Sequence, residues 1–185
     1  MPFILPGFLL DIPRNPILAI GIPLALGSLS GFPTRKVAKS NWYKTLATPP
    51  GRPPRQIFPI VWTTLYAAMG WASYLAVKTY DTTLLPEVKS AAYHGLKLYW
   101  IQLGLNLIWT PLFFGVKQLG LATIDSVLLA TFTGYMTIVL DKATDGATSW
   151  FLVPYCAWLS FATYLTGGIW LKNRKGNSGG PKKSA

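Results

Sequence analysis

Rings and small polar groups recur at helical spacing in three stretches of this chain. Trp62, Tyr66, Met69 and Ser73 fall on one helix face, and so do Asn106, Trp109 and Phe113. A third face carries Trp158, Ala162, Leu165 and Ile169, with Phe161 beside them. An indole or phenol ring turned inward stacks on a flat apolar molecule, while an N–H or a carboxamide fixes its orientation. Such faces offer binding chemistry rather than bond breaking. Helix packing, or an interfacial aromatic belt for rings near segment ends, accounts for any one face taken alone. The set together points further, because Asn106 and Asp125 lie deep in apolar segments. A polar group is costly there and turns toward a partner or a cavity. For Asp125 the expectation is structural, a pairing with a helix-end backbone group near Gly120.

Catalytic machinery is thin. His94 is the only histidine and is expected as a solvated residue at the start of an apolar segment. Cys156 is the only cysteine, which rules out an intrachain disulfide, and it is expected as a small packing residue. No His, Cys or carboxylate cluster has metal-ligand spacing, and no glycine loop cradles a phosphate. No catalytic residue, metal or cofactor is therefore expected, and neither an ordinary hydrolase nor an ATP-driven pump is supported.

The elements that must position these faces are five apolar segments, at 16–32, 57–77, 96–116, 119–140 and 150–171. Most approach the ~20 residues that a helix needs to cross ~30 Å of hydrocarbon. Alternation of period two is absent, and in lipid a helix satisfies its own backbone. The expected fold is an all-α membrane protein, a bundle of five transmembrane helices. The third and fourth segments meet at Lys117-Gln118-Leu119-Gly120, a connection that allows only a tight turn between antiparallel neighbours. Pro23, Pro111 and Pro154 lie inside apolar windows and are candidate kinks. A short N-terminal segment, 1–15, precedes the first span; it lacks a basic n-region and does not resemble a cleavable signal. The loop at 34–56 carries Trp42 and Tyr43 and then Pro49, Pro50, Pro53 and Pro54, and is expected to be stiff and non-helical. It reads equally as a cap over one end of the bundle and as a linker. The tail, 172–185, is Gly/Ser/Lys-rich and expected to be disordered.

Composition agrees with a membrane setting. Apolar residues make up 51% of the chain and charged ones 12%, about half the charge of a typical soluble domain, which is roughly 25%. The net charge of +11 does not form a stripe of the kind that reads nucleic acid. Twelve of the 17 Lys and Arg residues sit in the connections after segments one and three and in the tail, against five elsewhere. That bias fits anchoring at a lipid bilayer, with the tail and first connection on the cytoplasmic side.

At the level of whole motifs, the chain resembles the TspO/MBR family of translocator and tryptophan-rich sensory proteins. The first matching string is Trp42-Tyr43, Leu46, Pro49, Pro53-Pro54, Val61-Trp62-Thr63-Thr64-Leu65-Tyr66 and Met69-Gly70. The second is Gln102-Leu103, Leu105-Asn106, Trp109, Pro111, Phe113-Phe114-Gly115, Gln118, Gly120 and Asp125; the third is Pro154-Tyr155, Ala157-Trp158-Leu159, Phe161-Ala162-Thr163 and Leu165. The resemblance covers about 42–170, in order.

It implies five packed helices around a pocket closed by the first loop, and binding of porphyrins, sterols and benzodiazepine- or isoquinoline-type ligands. Carried over residue by residue, the implied ligand-binding positions are Phe58, Trp62, Asn106, Trp109, Trp158, Ala162 and Leu165. Some bacterial members are associated with light-dependent porphyrin breakdown at two pocket tryptophans, which match Trp62 and Trp158. The chain also departs from the family. Leu121 stands where animal members place a tryptophan, and Gly167 and Leu171 occupy a sterol-recognition pattern that needs a tyrosine followed by a basic residue. Lys97 and Ile101 replace a small-xxx-small dimer pattern, while Gly27 and Gly31 offer another in the first segment; a homodimer stays open.

Three functions follow as expectations. The first is a translocator or receptor-type membrane protein that binds, and by partition moves, porphyrins or sterol-like molecules. The second is a slow light-dependent porphyrin-degrading activity, and the third a membrane scaffold. The short N-terminus and basic tail point to the mitochondrial outer membrane, with the endoplasmic reticulum or a bacterial envelope as alternatives.

Overall fold

The chain enters its first long helix through a cap written in the sequence. Asn15 Oδ1 accepts from the Ile17 and Leu18 amides at 2.9 and 3.3 Å, and Pro16 occupies the first turn, where its missing N–H costs nothing. The computed structural model describes residues 4–174, and every regular element among them is a helix. The order is α1 (Gly7–Arg14), α2 (Pro16–Gly31), α3 (Thr34–Val37), α4 (Asn41–Thr45), α5 (Ile57–Thr82), α6 (Pro86–Thr110), a π turn (Pro111–Gly115), α7 (Leu119–Ala143) and α8 (Ser149–Asn173).

Close contacts set how the long helices run. A Cβ on Gly70 would strike the Ala19 carbonyl, and one on Gly27 would strike the Tyr66 ring, so α2 and α5 approach backbone to backbone in opposite directions. Gly27 is therefore occupied within the chain, whereas a Cβ on Gly31 would meet nothing within 4 Å. Gly95 accommodates Leu140, while Phe113 clusters with Ala122, which makes α6 and α7 antiparallel neighbours. Thr137 beside Cys156 (3.2 Å) and Gly120 beside Trp170 run α8 back along α7. Pro111 marks the change from α to π geometry, closed by the Val116 amide on the Pro111 carbonyl at 2.9 Å. The reversal then passes through Lys117 in the left-handed region, at φ 57°.

One segment carries a helix that the sequence reading does not assign, and two elements differ from that reading. The segment 1–15 contains α1, which lies across one end of the bundle: the Leu5 amide donates to Tyr93 Oη at 2.8 Å and Trp100 Nε1 to the Leu9 carbonyl at 2.9 Å. The loop 34–56 is not wholly non-helical, because its prolines begin only at Pro49 and Ser40 Oγ caps α4 through the Tyr43 amide. The third helix starts at Pro86 rather than near 96, since Glu87 and Lys89 lower local hydropathy without opposing helix formation. At the chain's other end, Lys172 and Asn173 belong to α8, and residues 175–185 of the expected tail lie outside the described residues.

Among the described residues three helical stretches are long and apolar enough to cross a membrane: Pro16–Val37, Ile57–Thr82 and Leu119–Ala143. The expected count of five crossings is not reproduced by that measure. The helix α6 carries Glu87, Lys89, Lys97, Gln102 and Asn106, and nine of the 25 residues of α8 are Trp, Tyr, Thr or Gly, which hydropathy scales value little. The protein is an all-helical membrane protein among its described residues, and its ends differ in charge. Arg35, Lys36, Lys39, Lys44, Arg52, Arg55, Lys117, Lys172 and Arg174 share the end that holds the first loop, whereas at the opposite end Asp11, Asp81, Glu87, Asp141 and Asp145 are mixed with Arg14, Lys78, Lys89 and Lys142.

Candidate functional site

At the basic end the helices part around a cavity of about 530 Å³, within the roughly 300–1,000 Å³ of small-molecule sites. Its walls come from α2, α5, α6, the π turn, α7 and α8, and residues of the first loop stand over its mouth. From Phe58 near the mouth to Tyr66 at the deep end is a little over two helical turns, about 12 Å along α5. The cavity is therefore a deep slot rather than a surface dimple.

Of the seven positions singled out from the sequence, Phe58, Trp62, Asn106, Trp109, Ala162 and Leu165 line this one cavity. Trp158 does not. Its ring stands edge-on behind Phe58, with centroids 5.8 Å apart and planes at 67°, so it buttresses a wall. One turn of α8 separates Trp158 from Ala162, and helical spacing alone cannot tell which of the two faces the hollow.

The deep end is closed by a chain of buried polar groups joining three helices. The Tyr66 hydroxyl donates to Asn106 Oδ1, and Asn106 Nδ2 donates to Tyr155 Oη at 2.9 Å. Tyr155 in turn donates to Gln102 Oε1 at 2.8 Å, and Gln102 Nε2 reaches Met69 Sδ at 3.5 Å. Tyr155 and Gln102 are both 0% exposed. A satisfied network in low dielectric is rigid and costly to break. Asn106 thus lines the cavity while both ends of its amide are committed to neighbours, and its first role is to tie α6 to α5 and α8. Trp109 Nε1 and Trp158 Nε1 are buried with no hydrogen-bond partner among the described residues, and the Trp109 ring stacks on Phe113 at 5.0 Å and 19°.

The mouth is shaped by the first loop. Trp42 and Tyr43 on α4 meet the π-turn rings, Trp42 with Phe113 at 6.2 Å and Tyr43 with Phe114 at 5.5 Å. The Pro49 ring packs over Gly168 in α8, where a Cβ would sit 2.8 Å from it. Asn173 clasps Ala47 from both sides, accepting from its amide at 3.1 Å and donating to its carbonyl at 2.9 Å. Of the two readings of this loop, the geometry favours the cap. Arg35, Arg52, Arg55 and Tyr43 also line the mouth. Sequence reasoning took these cations for headgroup anchors; the contact of Arg52 and Arg55 with Tyr43 is visible only in the fold.

Two polar residues sit otherwise than expected. Asp125 does not find a helix-end backbone partner: its Oδ2 is buried with no hydrogen bond among the described residues. His94 lies two turns inside α6, half-buried against Tyr135 at 5.7 Å, because the helix begins at Pro86 and carries it away from the solvated end.

Fold and cavity together define a class, an all-helical membrane protein with a ligand-sized aromatic chamber under a loop cap. Residues 19–171 match the TspO/MBR family. The chain is 37% identical over 164 residues to the Translocator protein of Bos taurus, covering 87% of this chain and 93% of that one. It is 40% identical over 138 residues to the Translocator protein of Ovis aries (75% and 78% covered). Against the Tryptophan-rich protein TspO of Chlorobaculum tepidum it is 38% identical over 148 residues (80% and 89%). The chain belongs to the TspO/MBR family.

Proposed function

We propose that this protein is a translocator or receptor-type protein that takes up a flat, largely apolar ligand in the chamber beneath its first loop. Porphyrins are the leading class, with sterol-like and benzodiazepine-type molecules as further candidates. The observation that carries the reading is convergence: Trp62 from α5, Trp109 from α6 and Ala162 from α8 line one cavity. Rings on two walls and a small residue on a third make a slot for a planar body. Family membership supports the same role.

In this reading α2, α5, α6 with its π turn, α7 and α8 each cross the bilayer. Their antiparallel order and similar lengths support this, and the charge bias supports a basic end that faces the cytosol. Similarity to animal relatives over most of their length favours the mitochondrial outer membrane, to be tested by fractionation. Ligand movement follows partition, with the loop as gate. Photochemical porphyrin breakdown has weaker support, because Trp62 lines the chamber and Trp158 stands behind Phe58.

The test is equilibrium binding of a porphyrin and of a sterol to purified protein in mild detergent. Ala162→Phe fills the slot and is expected to weaken both by tenfold or more, while Ile60→Phe on the exposed face of α5 leaves both unchanged. Equal affinities for the two variants would remove the chamber as the binding site.

A further inference from the structure

The mouth of the chamber gathers positive charge without any counter-charge. Arg52 and Arg55 both stack on Tyr43, with guanidinium carbons 4.8 and 5.3 Å from the ring centre. Arg52 also donates to the Tyr43 hydroxyl, and Arg55 Nη1 donates to the Ala38 carbonyl at 2.9 Å. Arg35 lines the same rim. The ion pairs among the described residues are those of Arg14 with Asp11 and Asp81, at the far end of the bundle. Residues 1–3 and 175–185 contain no Asp or Glu, so they cannot supply a side-chain carboxylate. Of the acids on the chain only Asp125 lies toward this end, and it does not line the cavity.

Two guanidiniums held against one ring repel each other. That arrangement is favourable when an anion is shared between them, because charged, forked donors bind carboxylate or phosphate best where water is partly excluded. Arg52 is half-buried and meets that condition, while Arg55 and Arg35 stand exposed at the rim around it. Headgroup anchoring alone does not explain why these three line the mouth of an apolar slot when Lys36, Lys39 and Lys44 on the same loop do not.

We infer that the chamber selects amphiphiles, and that Arg52 and Arg55, with Arg35, form an anion clamp that holds a carboxylate or phosphate at the mouth while the apolar body fills the slot. This rests on the chamber being the binding site. It adds that neutral molecules of the same shape bind less well, and that the selectivity lies in the loop.

The experiment compares a porphyrin dicarboxylic acid with its dimethyl ester, which keeps the ring and removes the charge, using protein in nanodiscs of zwitterionic phospholipid. The native chain is expected to favour the diacid by about tenfold. In Arg52→Gln/Arg55→Gln the diacid is expected to fall to the level of the ester while the ester holds its affinity, which also shows that the variant is folded. Arg52→Lys/Arg55→Lys is expected to restore part of the preference. A second arm adds anionic phospholipid to the discs. Competition with the diacid in the native chain, lost in the Gln variant, identifies the bilayer's own phosphates as occupants; no competition identifies the free acid. Equal affinity for acid and ester in the native chain, or a preference unchanged in the Gln variant, overturns the clamp. In that case ester binding that remains sensitive to Ala162→Phe keeps the chamber standing, whereas insensitivity to Ala162→Phe overturns both.

Discussion

Asn106 on α6 donates to Tyr155 on α8 at 2.9 Å, and through this bond the floor of the chamber is tied to its far wall. Tyr66 completes the tie on the α5 side by donating to the same amide. Three helices are thus fixed at one depth by polar groups that have no water to turn to.

Tyr155→Phe removes the hydroxyl and strands both Asn106 Nδ2 and Gln102 Oε1. Hydrogen bonds between membrane helices contribute about 0.6–2 kcal/mol, and each stranded buried group costs about 1–3 kcal/mol. The variant is expected to unfold several degrees below the native protein when heated in detergent, followed by tryptophan fluorescence. An unchanged midpoint would show that the network does not hold the helices.

The contact of α2 with α5 makes a sharper prediction. Gly70→Val places a branched side chain where the Ala19 carbonyl lies, and backbone cannot move aside as a side-chain tip can. Overpacking of this kind costs about 1–3 kcal/mol or more. Gly104→Ala, with open space around it, is expected to be neutral or slightly stabilising. The two variants are compared by thermal unfolding, and equal behaviour would contradict the described packing.

The far end of the bundle is expected to tolerate change. Arg14 pairs with Asp81 through two bonds at 2.9 and 2.8 Å, but the groups are exposed. Exposed pairs contribute about 0–1 kcal/mol and are screened by salt. Arg14→Gln is expected to shift the unfolding midpoint little and to leave ligand binding intact; a large loss would mean that α1 depends on this pair rather than on Leu5 and Trp100.

The loop cap is expected to act on rates. Asn173→Ala opens the clasp on Ala47, and Gly168→Leu pushes Pro49 off α8. Either is expected to speed ligand release several-fold in stopped-flow fluorescence, with a smaller effect on association. Release rates equal to the native protein's would make the loop a linker after all.

Much of this arrangement was legible in residue type and spacing. Helical periodicity identified the faces of Trp62 and Trp109, and the four-residue connection at Lys117 made α6 and α7 antiparallel neighbours. What spacing could not supply was direction within a turn and contact across helices. Trp158 and Ala162 share a face, and only packing decides that one is a buttress and the other lining. Arg52 and Arg55 read as anchors, and only the fold shows both of them meeting Tyr43 at the cavity's mouth. Asn106 lines the cavity, but spacing could not show that Tyr66 and Tyr155 also hold its amide. Hydropathy placed the third segment late because it weighs Glu87 and Lys89, which a helix opening at Pro86 carries easily.

The most direct test of the chamber is photolabelling with a diazirine-bearing sterol or porphyrin in nanodiscs, followed by peptide mapping. Labels are expected on Trp62, Trp109 and Ala162 and their lining neighbours, suppressed by excess unlabelled ligand. Labels confined to outward residues such as Ile60, Val127 and Ile138, unaffected by competitor, would mean that ligand rests against the protein from the lipid and never enters it.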